Sequence, residues 1–131
     1  MGIKILPDTN ILIPAFSGTK LYASWLHELI ESRKLHFSVV VVAEFLINAT
    51  VYETEKLNKL LKIFPAFDVD IKIAQLAAHY RKTYLRSKKK FMLPDCFIAA
   101  TCKIHGLTLL TLDKRDFPVT EIKVVDTINI R

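Results

Sequence analysis

Glycine and proline are scarce in this chain of 131 residues, with 3 and 5 copies, and we find no internal repeat or low-complexity tract. Their scarcity excludes a fibrous repeat and argues against a disordered chain. Hydrophobic residues make up 51% of the sequence and charged residues 24%, so the chain can bury a substantial core. We predict a single domain over residues 1–131, because a chain of this length fits one domain.

Long hydrophobic runs are also missing. The first apolar run, IKIL, is broken by Pro7 and Asp8 and is too short for the apolar region of a signal peptide. The apolar stretch at residues 37–43 is far shorter than the ~20 residues that a membrane-spanning helix needs. We therefore expect a soluble, cytoplasmic protein without a membrane partner.

Only two cysteines are present, Cys96 and Cys102, and both fall in one predicted helix. At about 1.5 Å of rise per residue they lie roughly 9 Å apart, which is beyond the reach of a disulfide bond. Two cysteines at this spacing also make no zinc site. We predict that both are core residues of a reduced protein.

Apolar residues follow a pattern of alternating strands and helices. Strands that read as continuous apolar runs between helices indicate a parallel sheet covered on both faces, with ligands outside the carboxyl ends of its strands. The predicted strands are residues 3–6, 36–38, 67–69, 107–112 and 122–126. The predicted helices are residues 19–34, 39–51 after a Ser38 cap, 54–64 after a Thr54 cap, 73–84, and 94–105 closed by Gly106.

Four acids lie at or near the predicted ends of these elements, and a fifth, Glu44, lies inside an apolar run: the four are Asp8, Asp95, Asp113 and Asp116. Each aspartate has a structural explanation, since Asp8 can cap a turn, Asp95 follows a proline at a helix start, and the other two can be turn residues. Glu44 is harder to explain, because an unpaired carboxylate in an apolar segment costs several kcal/mol. In a parallel sheet the acids that follow strands share one edge, which the capping explanations do not predict.

The stretches LPDTNILI, AEFL, PDCFIAATCKIHGLTLLT and TLDKRDF resemble PIN-domain ribonucleases in order and spacing. The resemblance is greatest to the VapC-type toxins of bacterial and archaeal toxin–antitoxin pairs, and it extends from Ile3 to about Val125. It implies a three-layer α/β/α sandwich around a parallel sheet of four or five strands.

The resemblance also implies a metal site. The family's first three acids fall on Asp8, Glu44 and Asp95, and the fourth falls on Asp113 or Asp116. We expect Asp113 to lie nearer the metal, with Asp116 as an additional ligand. Such a cluster of carboxylates favours Mg²⁺ or Mn²⁺, and mutual repulsion should raise the pKa values of its members. Small polar residues match family positions that orient the acids: Thr9, Asn10 and Thr111.

The implied reaction is hydrolysis of RNA by an activated water, leaving a 5′-phosphate and a 3′-hydroxyl. A net charge of +6 suits a polyanionic partner. The basic residues concentrate in RKTYLRSKKKF and beside the last acids, where a solvated loop is the alternative explanation. The residues expected to grip RNA phosphates are Arg81, Lys82, Arg86, Lys88, Lys89, Lys90, Lys114 and Arg115.

The resemblance implies two protein partners, an antitoxin and a second copy of the chain. A non-catalytic PIN-like module that binds nucleic acid or protein is the main alternative, but such a module typically has lost an acid and this chain keeps all of them. A phosphoacceptor switch needs a strand-end aspartate in mid-chain. Its place here is taken by Glu44, which is predicted to lie in a helix.

Overall fold

The computed structural model describes residues 2–129, so Met1, Ile130 and Arg131 of the predicted domain lie outside the described residues. Strands β1 to β5 span Ile5–Pro7, Phe37–Ser38, Ala66–Phe67, Thr108–Leu110 and Val124–Val125. Helices α1 to α6 span Thr9–Phe16, Lys20–Glu31, Val39–Leu46, Val51–Ile63, Ile71–Thr83 and Leu93–His105. A short 3₁₀ helix covers Lys114–Asp116.

All strand pairs are parallel. Strands β1, β4 and β5 form one ladder with β4 in the middle, and β2 pairs with β3. The Ile5 N–H donates to the Lys34 carbonyl at 2.8 Å, and the His36 N–H donates to the Ile5 carbonyl at 2.9 Å. A parallel bridge between Ile5 and Leu35 therefore joins the two ladders in the order β3-β2-β1-β4-β5. The predicted α/β fold with a central parallel sheet is confirmed.

The core lies between the sheet and the helices. Residues of β1 and β4 are buried on both sides of the sheet, including Leu6, Leu109 and Leu110, which have no exposed surface. Helix α1 packs on α2, and α5 packs on α6. Cys96 and Cys102 are buried free thiols in α6, as predicted. Among residues 2–129, no helix is both long and apolar enough to cross a bilayer.

The predicted helices over residues 39–51 and 54–64 correspond to α3 and α4, with different boundaries. Ser38 caps α3 as predicted, because its side chain accepts from the Val41 N–H at 3.1 Å. Helix α3 ends at Leu46, and α4 is capped by Thr50 rather than Thr54. The Thr50 and Glu53 side chains each accept the other's backbone N–H, and this capping box requires an extended backbone at its first residue. That extended backbone separates the two helices.

Helix α1 does not follow from the apolar pattern, because Pro14 lies inside it and Asp8 also fits a turn. Asp8 caps this helix, and its apolar face holds Ile11, Leu12, Ala15 and Phe16 in the core. Proline lacks an N–H, so it is disfavoured in a helix interior. Burial of four apolar side chains outweighs that cost here. The consequence for the site is that Thr9 and Asn10 start a helix directly after β1.

Candidate metal centre

Asp8 lies at the carboxyl end of β1, in the middle of the five-strand order. Its N–H donates to the Leu110 carbonyl at 2.8 Å, which continues the β1–β4 ladder up to the acid. One carboxylate oxygen, Oδ1, accepts the Thr9 N–H at 2.8 Å, and Oδ2 accepts the Thr111 hydroxyl at 2.9 Å. The side chain is 8% exposed. Asp8 is therefore held in a fixed orientation from two strands and one helix.

Thr111 connects Asp8 to the chain that follows β4. Its hydroxyl donates to Asp8, and it accepts from Asn10 Nδ2 and from the Asp113 N–H, both at 3.1 Å. A hydroxyl has one proton and two lone pairs, so this group is saturated. Asn10 Oδ1 accepts the Leu112 N–H at 3.2 Å, while Asn10 Nδ2 also lies 3.4 Å from Asp113 Oδ2. The three predicted polar residues thus contact the acids themselves or each other.

Glu44 reaches the same edge of the sheet from α3. Its Oε1 accepts the Thr9 hydroxyl at 3.0 Å, so adjacent residues at the start of α1 orient both Asp8 and Glu44. Glu44 is half-buried, whereas its helix neighbour Phe45 is in the core. Burial is the largest cause that raises the pKa of Glu44, the charge of Asp8 adds to it, and the Thr9 hydrogen bond lowers it.

Asp95 lies in the first turn of α6, whose N-cap is Met92. Within residues 2–129 no hydrogen bond is made to its carboxylate, so Asp95 does not cap its helix through the side chain. Burial raises its pKa to about 7, and the charges of the four other acids, Asp8, Asp116, Glu44 and Asp113, act in the same direction. Its proximity to these charges places Asp95 at the same edge of the sheet.

Asp8 also has a raised pKa. Burial is the largest cause, the hydrogen bonds from Thr111 and Thr9 lower it, and the charges of Asp113 and Asp116 raise it further. The pKa values of Asp8, Glu44 and Asp95 are therefore all raised, which is the direction that the sequence predicts. Burial contributes more to the rise than repulsion between the acids. Repulsion of this kind is relieved by a cation between the carboxylates.

The acid loop, residues 113–116, consists of two acids of the site, Asp113 and Asp116, and two basic residues, Lys114 and Arg115. All four are exposed. The Asp116 N–H donates to the Asp113 carbonyl at 3.0 Å, which closes the 3₁₀ turn. Asp113 joins the Asn10–Thr111 network, whereas Asp116 acts on Asp8 and Asp95 through its charge. Lys114 and Arg115 lie between them in the sequence.

The remaining predicted basic residues lie in and after the last turn of α5. Arg81 and Lys82 belong to that turn. The exposed basic loop, residues 85–90, carries the rest and leads through Phe91 into the start of α6. Arg81 lowers the pKa of the Cys96 thiol, although burial raises that pKa more, to about 11. This influence places Arg81 near the turn of α6 that holds Asp95.

The carboxylates lie near one another but do not form a complete set of metal ligands. In the described part of the chain, no three His, Cys, Asp or Glu side chains are placed so that they could hold one ion together. The set still fits a hard cation by its chemistry, because its donors are carboxylate oxygens that repel one another, and His and Cys are absent from its network. Two members, Asp113 and Asp116, are exposed and free of the core, so they can turn toward an ion.

Comparison with known proteins agrees with the fold. The family model for the PIN domain matches residues 5–123. Ribonuclease VapC10 of Mycobacterium tuberculosis is 33% identical over 120 residues, which are 89% of this chain and 88% of that protein. A toxin–antitoxin complex from Klebsiella pneumoniae superimposes with a TM-score of 0.69 at 27% identity, over 92% of this chain and 99% of that one. A DNA-bound VapBC from Salmonella typhimurium shares the fold, with a TM-score of 0.76 at 16% identity over 94% and 97% of the two chains.

Proposed function

The chain belongs to the PIN-domain family, and on this premise we propose that it is a metal-dependent endoribonuclease, the toxin of a toxin–antitoxin pair. One observation carries the proposal. Five acids from four parts of the chain lie near the carboxyl edge of one parallel sheet, where a hydrogen-bond network links three of them and the charges of all five act on one another. The 33% identity to a ribonuclease over 89% of the chain supports RNA as the substrate.

The residues that would hold Mg²⁺ or Mn²⁺ are Asp8, Glu44, Asp95 and Asp113, with Asp116 as a further ligand. Oxygen donors of this kind favour these two ions over softer metals. When bound, such an ion polarises a phosphodiester, lowers the pKa of a water molecule and stabilises the leaving oxygen.

The chain's own residues prepare the site for that chemistry. Thr111 and the Thr9 N–H fix both oxygens of Asp8, and the Thr9 hydroxyl fixes Glu44. Asp95 has a pKa of about 7, so its carboxyl holds a proton in part of the metal-free molecules at neutral pH. A cation in the site favours the ionised carboxylate. Binding of a cation at Asp95 would therefore release a proton from its carboxyl group.

The basic loop and the acid loop would hold the RNA. Arg86, Lys88, Lys89 and Lys90 are exposed, and the loop that carries them leads into the helix of Asp95. Exposed basic side chains of this kind attract backbone phosphates independently of base sequence. Lys114 and Arg115 lie beside Asp113 and Asp116 and act on the same backbone.

A protein partner is also part of the proposal. The name of the Klebsiella relative, a toxin–antitoxin complex, supports an antitoxin partner for this chain. At the junction of α3 and α4, Ile47, Val51 and Tyr52 are 76%, 77% and 68% exposed. Large exposed apolar side chains of this kind mark protein interfaces. We further propose that the chain forms a homodimer, and its mass in solution by light scattering tests this.

The activity itself is tested with purified protein and a labelled mixed-sequence RNA. We expect cleavage with Mg²⁺ or Mn²⁺, no cleavage in EDTA, and 5′-phosphate ends on the products. Asp95→Asn should abolish cleavage while RNA binding remains. If the wild type binds RNA but leaves it intact in Mn²⁺, the chain is a non-catalytic binding module and the proposal is wrong.

A further inference from the structure

The two loops of the proposed site meet on one aromatic cluster, formed by Tyr80, Tyr84, Phe91 and Phe117. Phe91 is its centre, with ring centroids 5.8 Å from Tyr80, 5.7 Å from Tyr84 and 6.1 Å from Phe117. The basic loop begins after Tyr84 and ends before Phe91, and the acid loop ends before Phe117. Each loop is therefore anchored in the same cluster.

Two hydrogen bonds tie this cluster to the chain that follows the acid loop. The Tyr80 hydroxyl donates to the Glu121 carboxylate, and the Tyr84 hydroxyl donates to the Pro118 carbonyl at 3.3 Å. Within residues 2–129, residues 118–122 make no other hydrogen bond. The next one along the chain is at Lys123, whose carbonyl accepts the Leu109 N–H of β4. Tyr80 of α5 and Tyr84, which follows the last residue of that helix, thus hold this connection.

The two partners differ greatly in exposure. Tyr80 is 3% exposed, while Glu121 lies at the surface. A buried tyrosine hydroxyl needs an acceptor, which is a sufficient structural reason for the tyrosine to seek one. Any acceptor would meet this need, so it does not explain why the acceptor lies on the segment that follows Asp113 and Asp116. Asp113 is tied to Asn10 and Thr111 on one side of the acid loop, whereas the exposed Asp116 depends more on the connection that follows it.

We propose that Tyr80 is a positioning residue, which acts through Glu121 to fix the acid loop relative to the basic loop. The metal-ligating role of the acid loop rests on the proposed function, but the coupling of the two loops does not. Loss of the Tyr80–Glu121 bond releases the connection at residues 118–122. The acid loop and the basic loop then fluctuate independently, which weakens metal binding without altering a ligand.

Hydrogen–deuterium exchange in EDTA tests the coupling without metal. In Tyr80→Phe and in Glu121→Ala, exchange should rise several-fold at the Asp116 and Phe117 amides of the acid loop and at the Ser87 amide of the basic loop. Glu121→Gln keeps an oxygen acceptor for Tyr80 and should match the wild type. Because Glu121 is exposed, its variants test the proposal even if Tyr80→Phe fails to fold.

Two controls separate positioning from a general loss of stability. Ile73→Val removes one buried methylene from the same helix, and Tyr22→Phe removes a half-buried hydroxyl that has no hydrogen-bond partner among residues 2–129. Neither should change exchange in the two loops. A Mn²⁺ titration followed by thermal melting should show a several-fold higher midpoint for Tyr80→Phe and Glu121→Ala, with both controls and Glu121→Gln unchanged.

Unchanged exchange in both loops of Glu121→Ala would overturn the inference, and so would a Glu121→Gln variant that exchanges as fast as Glu121→Ala. Failure of the proposed function gives a different result. In that case the wild type itself shows no Mn²⁺ response and no RNA cleavage, while the exchange data still decide whether Tyr80 couples the loops.

Discussion

At the scale of single residues, the site depends on one saturated hydroxyl. Thr111 donates to Asp8 and accepts from Asn10 and from the Asp113 N–H, so every lone pair and proton of its hydroxyl is used. Burial raises the pKa of Asp8, and the hydrogen bond from Thr111 acts against that rise by favouring the ionised carboxylate. The hydroxyl therefore orients the site although Thr111 is not itself one of the acids.

Thr111→Val keeps the shape of the side chain and removes the hydroxyl. We expect a loss of about 1–3 kcal/mol in the free energy of unfolding, because a buried carboxylate loses a partner. RNA cleavage should fall strongly, because Asp8 loses its orientation. Thr111→Ser keeps the hydroxyl and is the matched control in both urea unfolding and cleavage assays. Equal behaviour of the valine and serine variants would show that the hydroxyl has no role.

Asp95 gives a prediction about pH. Its pKa rises from the ordinary 3.8 to about 7 in the folded chain, so between these values the folded state binds more protons than the unfolded state. Stability in EDTA should therefore fall as pH rises from about 4 to about 7. Asp8 and Glu44 act with the same sign, because their pKa values are also raised.

The measurement is urea unfolding of the wild type and Asp95→Asn at a series of pH values in EDTA. Asparagine does not titrate, so the variant should lose stability less steeply over this range. Parallel pH profiles would mean that Asp95 titrates normally in the folded chain, and that its burial and acidic neighbours have no energetic effect.

At the scale of elements, the sequence predicts the strands and long helices better than their ends. Helices α2, α5 and α6 follow clear apolar spacing, and Gly106 ends α6 in the left-handed conformation that favours glycine. The α3–α4 boundary is encoded locally, because Thr50 is followed three residues later by Glu53, the pattern of a capping box, whereas Thr54 has Leu57 at that position. The predicted Thr54 cap is wrong because a threonine identifies a helix start only together with the residue three positions later.

In the site, the sequence predicts where the acids lie but not which residues hold them. The positions of the acids after strands follow from the sequence, because parallel strands end at one edge. The partners of Thr9, Asn10 and Thr111 do not follow from it, since the bonds to Glu44 and Asp113 span 35 and 103 positions. Such contacts depend on the order of strands in the sheet, which no local pattern encodes.

The basic loop gives a prediction at this scale. Changing Lys88, Lys89 and Lys90 together to alanine should weaken RNA binding and reduce the slope of log K against log[salt] by about 0.7 for each phosphate that the variant no longer neutralises. The midpoint of Mn²⁺ binding should be unchanged, because none of the three is a metal ligand. Changing Lys56, Lys59 and Lys62 of α4 removes the same charge elsewhere and is the control. An unaltered salt slope would make the basic loop an ordinary solvated segment.

At the scale of the whole molecule, the fold concentrates repulsion at one edge of the sheet. The order β3-β2-β1-β4-β5 puts the ends of β1 and β4 side by side at its centre, and α3 and α6 bring Glu44 and Asp95 to them. The metal-free fold therefore contains a destabilising cluster of like charges. A folded protein tolerates such a cluster when function requires it, and a cation turns the same charges into a binding site.

Asp95 is a better position than Asp8 for testing this account. Asparagine at position 8 would still accept the Thr9 N–H, but its amide would face a Thr111 hydroxyl that already accepts two hydrogen bonds. Asp95 has no hydrogen bond to lose in the described structure, so Asp95→Asn changes little besides the charge.

Thermal melting of the wild type and Asp95→Asn at pH 8, in EDTA and in Mn²⁺, tests the central claim most directly. In EDTA the variant should be at least as stable as the wild type, because one repelling charge is gone. In Mn²⁺ at about 100 times Kd the wild type should gain about 2.7 kcal/mol, and the variant should gain much less. A variant that is less stable in EDTA and responds to Mn²⁺ like the wild type would show that Asp95 is a structural acid, and that these carboxylates are not a metal site.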